Sequence, residues 1–154
     1  MMWLRYAVWA SMAGMFIPVM AVLNARMART FGEPLHAAFV LFAVGLLATG
    51  LASIAFIGRL PSLASLRSIP PINFAGGMIV GFYIFSITSL APRFGVGNAI
   101  LFVMTAQIFT SAAIDHFGLF DAAIRPMTAV RAGGLLLLVA GLWVTQLQTQ
   151  ASAR

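Results

Sequence analysis

Charged residues divide the chain into long apolar stretches. Five runs without Asp, Glu, Lys or Arg are each about 20 residues or longer, and they cover residues 6–25, 34–58, 68–92, 94–114 and 132–153. A helix needs about 20 mostly apolar residues to cross the hydrocarbon core of a bilayer, so each run is long enough. We therefore predict five transmembrane helices, at about 3–23, 35–57, 71–91, 96–114 and 131–147.

The runs read as helices because they stay apolar without alternation. Residues 38–48 read AFVLFAVGLLA and residues 135–144 read LLLLVAGLWV, whereas barrel strands are about ten residues long and alternate polar with apolar positions. The connections at 24–34, 58–70, 92–95 and 115–130 are too short for a soluble domain. The sequence thus predicts an all-α integral membrane protein, with residues 1–154 forming one five-helix transmembrane bundle.

Composition agrees and excludes other classes. Hydrophobic residues make up 62% of the chain and charged residues 8%, against roughly 25% charged residues in soluble domains. The nine arginines are spread singly between apolar runs, so no basic face for nucleic acid is expected. The sequence has no cysteine, phosphate loop or nucleophile triad, and His36 and His116 fall at opposite membrane faces. We expect no enzyme activity, cofactor or metal.

The arginines leave the orientation in the membrane almost undecided. With five spans the termini lie on opposite sides, and Lys and Arg in short loops normally set the orientation. The N-terminal side carries Arg5, Arg59, Arg67, Arg125 and Arg131. The other side carries Arg26, Arg29, Arg93 and Arg154. Five against four permits a weak preference for one orientation, or insertion both ways with copies pairing antiparallel. We predict an antiparallel homodimer in the lipid bilayer.

Size favours the same assembly. Many transporters place the substrate between two repeats of inverted topology, and a repeat with an odd number of spans inverts the next copy. A five-span chain would then be one repeat, and two copies inserted in opposite orientations would form the substrate site between them.

Polar residues inside the spans are the candidate site. Gln107, Ser111 and Asp115 lie four residues apart and share one helical face. Gln107 is open to two interpretations, a hydrogen bond between helices or a contact to solute. Asp115, at the end of its span, is either a proton-coupling group or the ion-pair partner of Arg125 or Arg131.

The third span adds a second polar face, which carries Tyr83 and Ser86. The Tyr83 hydroxyl, near mid-membrane, needs a partner and either lines a cavity or bonds a neighbouring helix. With Asn24, these residues complete the predicted substrate-binding set: Asn24, Tyr83, Ser86, Gln107 and Ser111, with Asp115 as the coupling candidate.

Several strings resemble one family of carriers. They are LNAR at 23–26, FGEPL at 31–35, LAPRFG at 90–95, Gln107, DHFGLF at 115–120, Pro126, Arg131, Gly134 and Gly141. The chain resembles the YdcZ-type family of the drug/metabolite transporter superfamily, relatives of EamA-like carriers. The resemblance implies a multi-pass protein of the bacterial inner membrane that is half of a ten-helix carrier. Met20 and Leu41 stand where it leads us to expect polar residues, which favours an apolar or amphipathic substrate.

The sequence therefore predicts a small secondary transporter that moves an amphipathic or organic solute by alternating access as a dimer. Two alternatives stay open, a dimeric ion channel with a continuous pore and a non-transporting subunit of a membrane complex. The solute, the direction of transport and the coupling ion are not readable from the sequence.

Overall fold

Five long helices dominate the structure, a computed structural model that describes residues 2–151 and the side chains of residues 2–147. In chain order the helices are α1 (Met2–Phe31), α2 (Pro34–Ile57), the short α3 (Leu63–Arg67), α4 (Ala75–Phe94), α5 (Val96–Phe117) and α6 (Ala129–Ala151). One 3₁₀ turn (Pro71–Phe74) leads into α4, and another (Leu119–Asp121) follows α5. All helices except α3 are long and apolar enough to cross a membrane, which confirms the all-α membrane fold and its five predicted spans.

The first helix is longer than its predicted span of 3–23. It continues for two further turns to Phe31, because residues 24–31 contain no helix breaker and the first one is Gly32. Gly32 has a φ of +77°, a left-handed backbone that glycine adopts without the steric cost other residues incur. Residues 24–31, which the sequence analysis assigned to a connection, are therefore helical.

The chain forms two compact units that divide between Val96 and Gly97. In the first unit, α1, α2 and α4 pack against one another pairwise. On α1 and α2 the buried positions are small or short side chains: Ala21, Asn24, Ala25, Ala28, Ala37 and Ala38. Small side chains let helix backbones approach closely in a membrane, where van der Waals packing drives helix association.

The second unit is the hairpin of α5 and α6. Polar contacts join the two helices near both ends. At one end the Gln146 side-chain amide donates to Asn98 Oδ1 over 3.3 Å, and at the other end Arg131 pairs with Asp115. Between these contacts lies an apolar groove of about 500 Å³, whose lining includes Gly134 and Gly141. The hairpin is thus held near its ends and open along its middle.

Most of the apolar surface stays uncovered in the single chain. In the five spans, between 0% and 22% of each hydrophobic window is buried. Large side chains such as Phe39, Leu46 and Leu137 are more than two-thirds exposed. This surface is left for lipid or for a second protein chain.

Candidate functional site

A buried hydrogen bond joins α1 to α4 at Asn24. The extension of α1 places Asn24 on the helix, where its side chain is 2% exposed and donates through Nδ2 to the Thr88 hydroxyl oxygen. Thr88 is itself 1% exposed. The Asn24 carbonyl oxygen, Oδ1, is buried and has no hydrogen-bond partner among the described residues. Asn24 therefore has a structural role between helices and retains one unused acceptor.

A cavity of about 510 Å³ opens beside this pair, where α1 and α4 end and α2 begins. Thr88 and Ser89 line it from α4, and the charged side chains of Arg29, Glu33 and Arg93 line it as well. The cavity therefore combines hydroxyl groups with charges of both signs. The sequence favoured an apolar or amphipathic substrate, and neither Arg29 nor Arg93 was among the predicted site residues.

The other α4 candidates lie nearer mid-membrane. The Ser86 hydroxyl donates to the Phe82 carbonyl over 2.7 Å, one turn earlier on the same helix, so the helix itself satisfies this donor. Tyr83 is half-buried, and its hydroxyl makes no hydrogen bond within residues 2–147. Of these two α4 candidates, Tyr83 is therefore the one that retains a free hydroxyl.

On α5, Gln107 and Ser111 are exposed. The Ser111 hydroxyl donates to the Ile108 carbonyl over 3.0 Å. The Gln107 amide, by contrast, makes no hydrogen bond to any side chain or backbone group that the structure describes. Gln107 is the twelfth of the 22 residues of α5. An unpaired amide at that depth costs free energy in hydrocarbon. Gln107 therefore needs a partner outside the described part of the chain.

Asp115 belongs to a network that closes the α5–α6 hairpin. Its Oδ2 accepts from Arg131 Nη2 over 2.7 Å, and both side chains are about one-third exposed. Arg131 Nη1 also donates to the Arg125 carbonyl over 3.3 Å, and the Arg125 amide donates to the Asp115 carbonyl over 2.8 Å. Of the two ion-pair partners that the sequence left open, Arg131 forms the pair, and Arg125 contributes through its backbone.

His116 also serves the hairpin. Its Nδ1 accepts from the Met127 amide over 3.0 Å, which requires that this ring nitrogen carry no proton. Gly118, Phe120 and Asp121 all have positive φ values near 60°, and this tight reversal allows residues 125–127 to reach back to Asp115 and His116. The DHFGLF string at 115–120 thus spans the end of α5 and the start of a hydrogen-bonded loop.

The sequence model of one family, described as "Putative inner membrane exporter, YdcZ", matches residues 5–144. The chain belongs to the YdcZ family. The match spans all five long helices, and it confirms the resemblance drawn from the sequence. No curated protein and no solved structure matches the chain.

Because the chain belongs to this family, it is a membrane transporter of the inner membrane. A membrane transporter agrees with its five apolar helices. The family description names an exporter, which is a kind of membrane transporter.

Sequence reasoning missed three features of the YdcZ-family chain: Thr88, the Asn98–Gln146 bond and the charged cavity. A signal for Thr88 was present, because the buried positions Ile84, Ile87, Thr88 and Ala91 follow helical spacing. A threonine on such a packed face needs a hydrogen-bond partner. The cavity had no comparable signal, since it depends on α1 continuing past Asn24 and bringing Arg29 toward α4.

The Asn24–Thr88 bond should stabilise the first unit measurably. Thr88→Val keeps the side-chain shape but leaves the buried Asn24 amide without its acceptor, so we expect a loss of about 1 kcal/mol of stability, within the range of hydrogen bonds between membrane helices. Thermal unfolding of the purified protein in detergent measures the effect. Ser89→Ala is the matched control, because the Ser89 hydroxyl bonds only its own helix at Phe85. Equal midpoints for the two variants would contradict this role.

The Asp115–Arg131 pair should act as an anchor of the hairpin. Asp115→Asn weakens a partly exposed ion pair, and we expect it to lower the unfolding free energy by about 1 kcal/mol. Asp121→Asn is the control, because Asp121 is exposed and asparagine tolerates its left-handed backbone. Transport driven by a proton gradient should persist in Asp115→Asn liposomes. Loss of that transport with solute exchange intact would instead make Asp115 the coupling group.

Proposed function

We propose that two copies of this chain, inserted in opposite orientations, form a carrier that exports an amphipathic organic solute by alternating access. The observation that carries the proposal is the exposed, unpartnered Gln107 amide in the middle of an apolar helix. Such a group is stable at that depth only against another protein surface, water or a solute. A carrier cavity between two copies supplies all three.

The uncovered apolar surface supports the pairing. In the spans the buried share of the hydrophobic windows does not exceed 22%, so a single chain has ample helix surface for a second copy. The near balance of arginines, five against four, supports insertion both ways. Arg154, one of the four, lies outside the described residues.

The candidate residues then divide by role. Gln107 and Tyr83 have free polar groups near mid-membrane and are the best candidates for solute contact. The hydroxyls of Ser86 and Ser111 already donate to carbonyls of their own helices. In this proposal they can accept a hydrogen bond from the solute but have no free proton to donate to it. Asn24 orients α1 against α4, and its buried carbonyl oxygen would reach a solute only if the two helices moved apart.

The orientation of single molecules tests the pairing. The chain has no cysteine, so Ala64→Cys in α3 and Thr30→Cys near the end of α1 each create a unique thiol, one at each membrane face. Because insertion both ways gives two populations, a membrane-impermeant maleimide should label about half of either variant from outside intact cells. Permeabilised cells should give full labelling. Complete labelling of one variant and none of the other would overturn the antiparallel proposal.

Flux measurements separate a carrier from the two alternatives. A thermal-shift screen of the purified protein against metabolites and drugs identifies a solute, which is then loaded into liposomes that contain the protein alone. A carrier should show saturating flux that is stimulated by unlabelled solute on the opposite side. Flux that rises linearly with solute concentration would indicate a channel. No flux from the purified protein would indicate a subunit of a larger complex.

A further inference from the structure

The cavity at the shared end of α1, α2 and α4 holds two arginines without ion-pair partners. Arg29 and Arg93 line the cavity, and Glu33 is the single acidic residue in its wall. Among the side chains of residues 2–147, one ion pair forms, and it joins Arg131 to Asp115. Neither cavity arginine makes a hydrogen bond to another described residue through its guanidinium group. Each guanidinium therefore keeps its five N–H donors free.

We infer that this cavity binds the anionic group, a carboxylate or a phosphate ester, of an amphipathic organic anion. The inference rests on the proposed function and assigns it a substrate class. A guanidinium presents parallel donors that match the oxygens of either anion. Two arginines against one glutamate leave the lined wall with a net charge of +1.

The rest of the cavity fits such a ligand. The Thr88 hydroxyl accepts from Asn24, and Thr88 forms part of the cavity wall as a buried residue. The α2 helix begins at Pro34, beside the cavity, and the amino end of a helix adds a partial positive charge. Phe85, Pro34 and Pro92 supply apolar lining, against which a short alkyl chain can pack. The volume of about 510 Å³ lies within the range of small-molecule sites.

The lipid headgroup and the transported solute are two sources of the same chemistry. An anionic phospholipid carries a phosphate ester on an apolar tail, as an alkyl phosphate does. The structure places the cavity where three helices end, which is accessible to either source. The chemical class of the ligand is therefore the inference, and the experiment distinguishes its origin.

Binding of hexyl phosphate to the full-length protein in a non-ionic detergent tests the inference by isothermal titration calorimetry. Hexyl phosphate should bind, hexyltrimethylammonium should not, and rising salt should weaken binding. Arg29→Gln and Arg93→Gln should each weaken binding about tenfold or more. Arg26→Gln is the matched control, because Arg26 lies one turn earlier on α1, is exposed and does not line the cavity. Equal affinity in all three variants, or preference for the cation, would overturn the inference.

Two further variants make the result specific. Arg29→Lys keeps the charge at the end of α1 but loses the planar fork, so it should fold even where Arg29→Gln does not and should still weaken binding. Glu33→Gln removes a negative charge from the cavity wall and should tighten binding, on the order of fivefold for a unit charge a few ångströms from the ligand. Weaker binding in Glu33→Gln would mean that the site holds a positive group, and the inference would be wrong.

Nanodiscs of phosphatidylcholine, with and without phosphatidylglycerol, distinguish the two sources. Weaker hexyl phosphate binding in the presence of phosphatidylglycerol supports a lipid headgroup in the site, and unchanged binding supports a free solute. Failure of the inference stays separate from failure of the proposed function. Hexyl phosphate that binds through Arg29 without crossing liposomes would support the site and contradict the carrier. Saturating transport of a neutral solute without anion binding would support the carrier and contradict the anion site.

Discussion

A polar side chain inside hydrocarbon must find a partner, and this constraint organises the structure. The helices satisfy their own backbones, and several hydroxyls follow the same rule by donating to a carbonyl one turn earlier, as Ser86, Thr105 and Ser111 do. Side-chain amides instead form hydrogen bonds between helices: Asn24 donates to Thr88, and Gln146 donates to Asn98. The constraint therefore explains both how the helices are held and which groups are left over.

The remaining groups are those on which the proposed function rests. Gln107 and Tyr83 have polar atoms without partners in the described chain, and Arg29 and Arg93 have free guanidinium groups beside a cavity. The first two lie near the middle of apolar helices and the arginines lie at helix ends. In the proposed function, the charged head of an amphipathic anion would pair with the two arginines of the first unit. Arg131 shows the contrasting case, because its charge is already committed to Asp115 and to the hairpin.

The sequence predicted the fold well because hydrophobic run length is a strong signal. The five charge-free runs correspond to the five spans. The sequence offered Arg125 and Arg131 as alternative ion-pair partners of Asp115, and the structure has Arg131 in that place. The end of α1 was predicted poorly, because the run of apolar residues stops at Ala25 while the helix continues through Arg26 and Arg29 to Phe31. Polarity marks the edge of the membrane, whereas Gly32 marks the end of the helix.

The candidate site was less predictable because it depends on which faces meet. Helical spacing placed Gln107, Ser111 and Asp115 on one stripe, but it could not show that Asp115 is engaged while Gln107 is free. Thr88 and the two cavity arginines required the packing of α1 against α4. The residues on one face of a helix can be predicted from local spacing, whereas the residues that line a pocket depend on how several helices pack.

The central claim is that the Gln107 face of α5 is covered by protein or water and does not lie in lipid. A spin label at Ser111→Cys, one turn from Gln107 on the same face, reports this directly by its accessibility to oxygen and to a polar nickel chelate in liposomes. A label at Leu46→Cys, exposed in the middle of the apolar α2, is the reference for lipid. The account predicts that Ser111→Cys is more accessible to nickel and less accessible to oxygen than Leu46→Cys. Equal, oxygen-rich signals at both positions would contradict it.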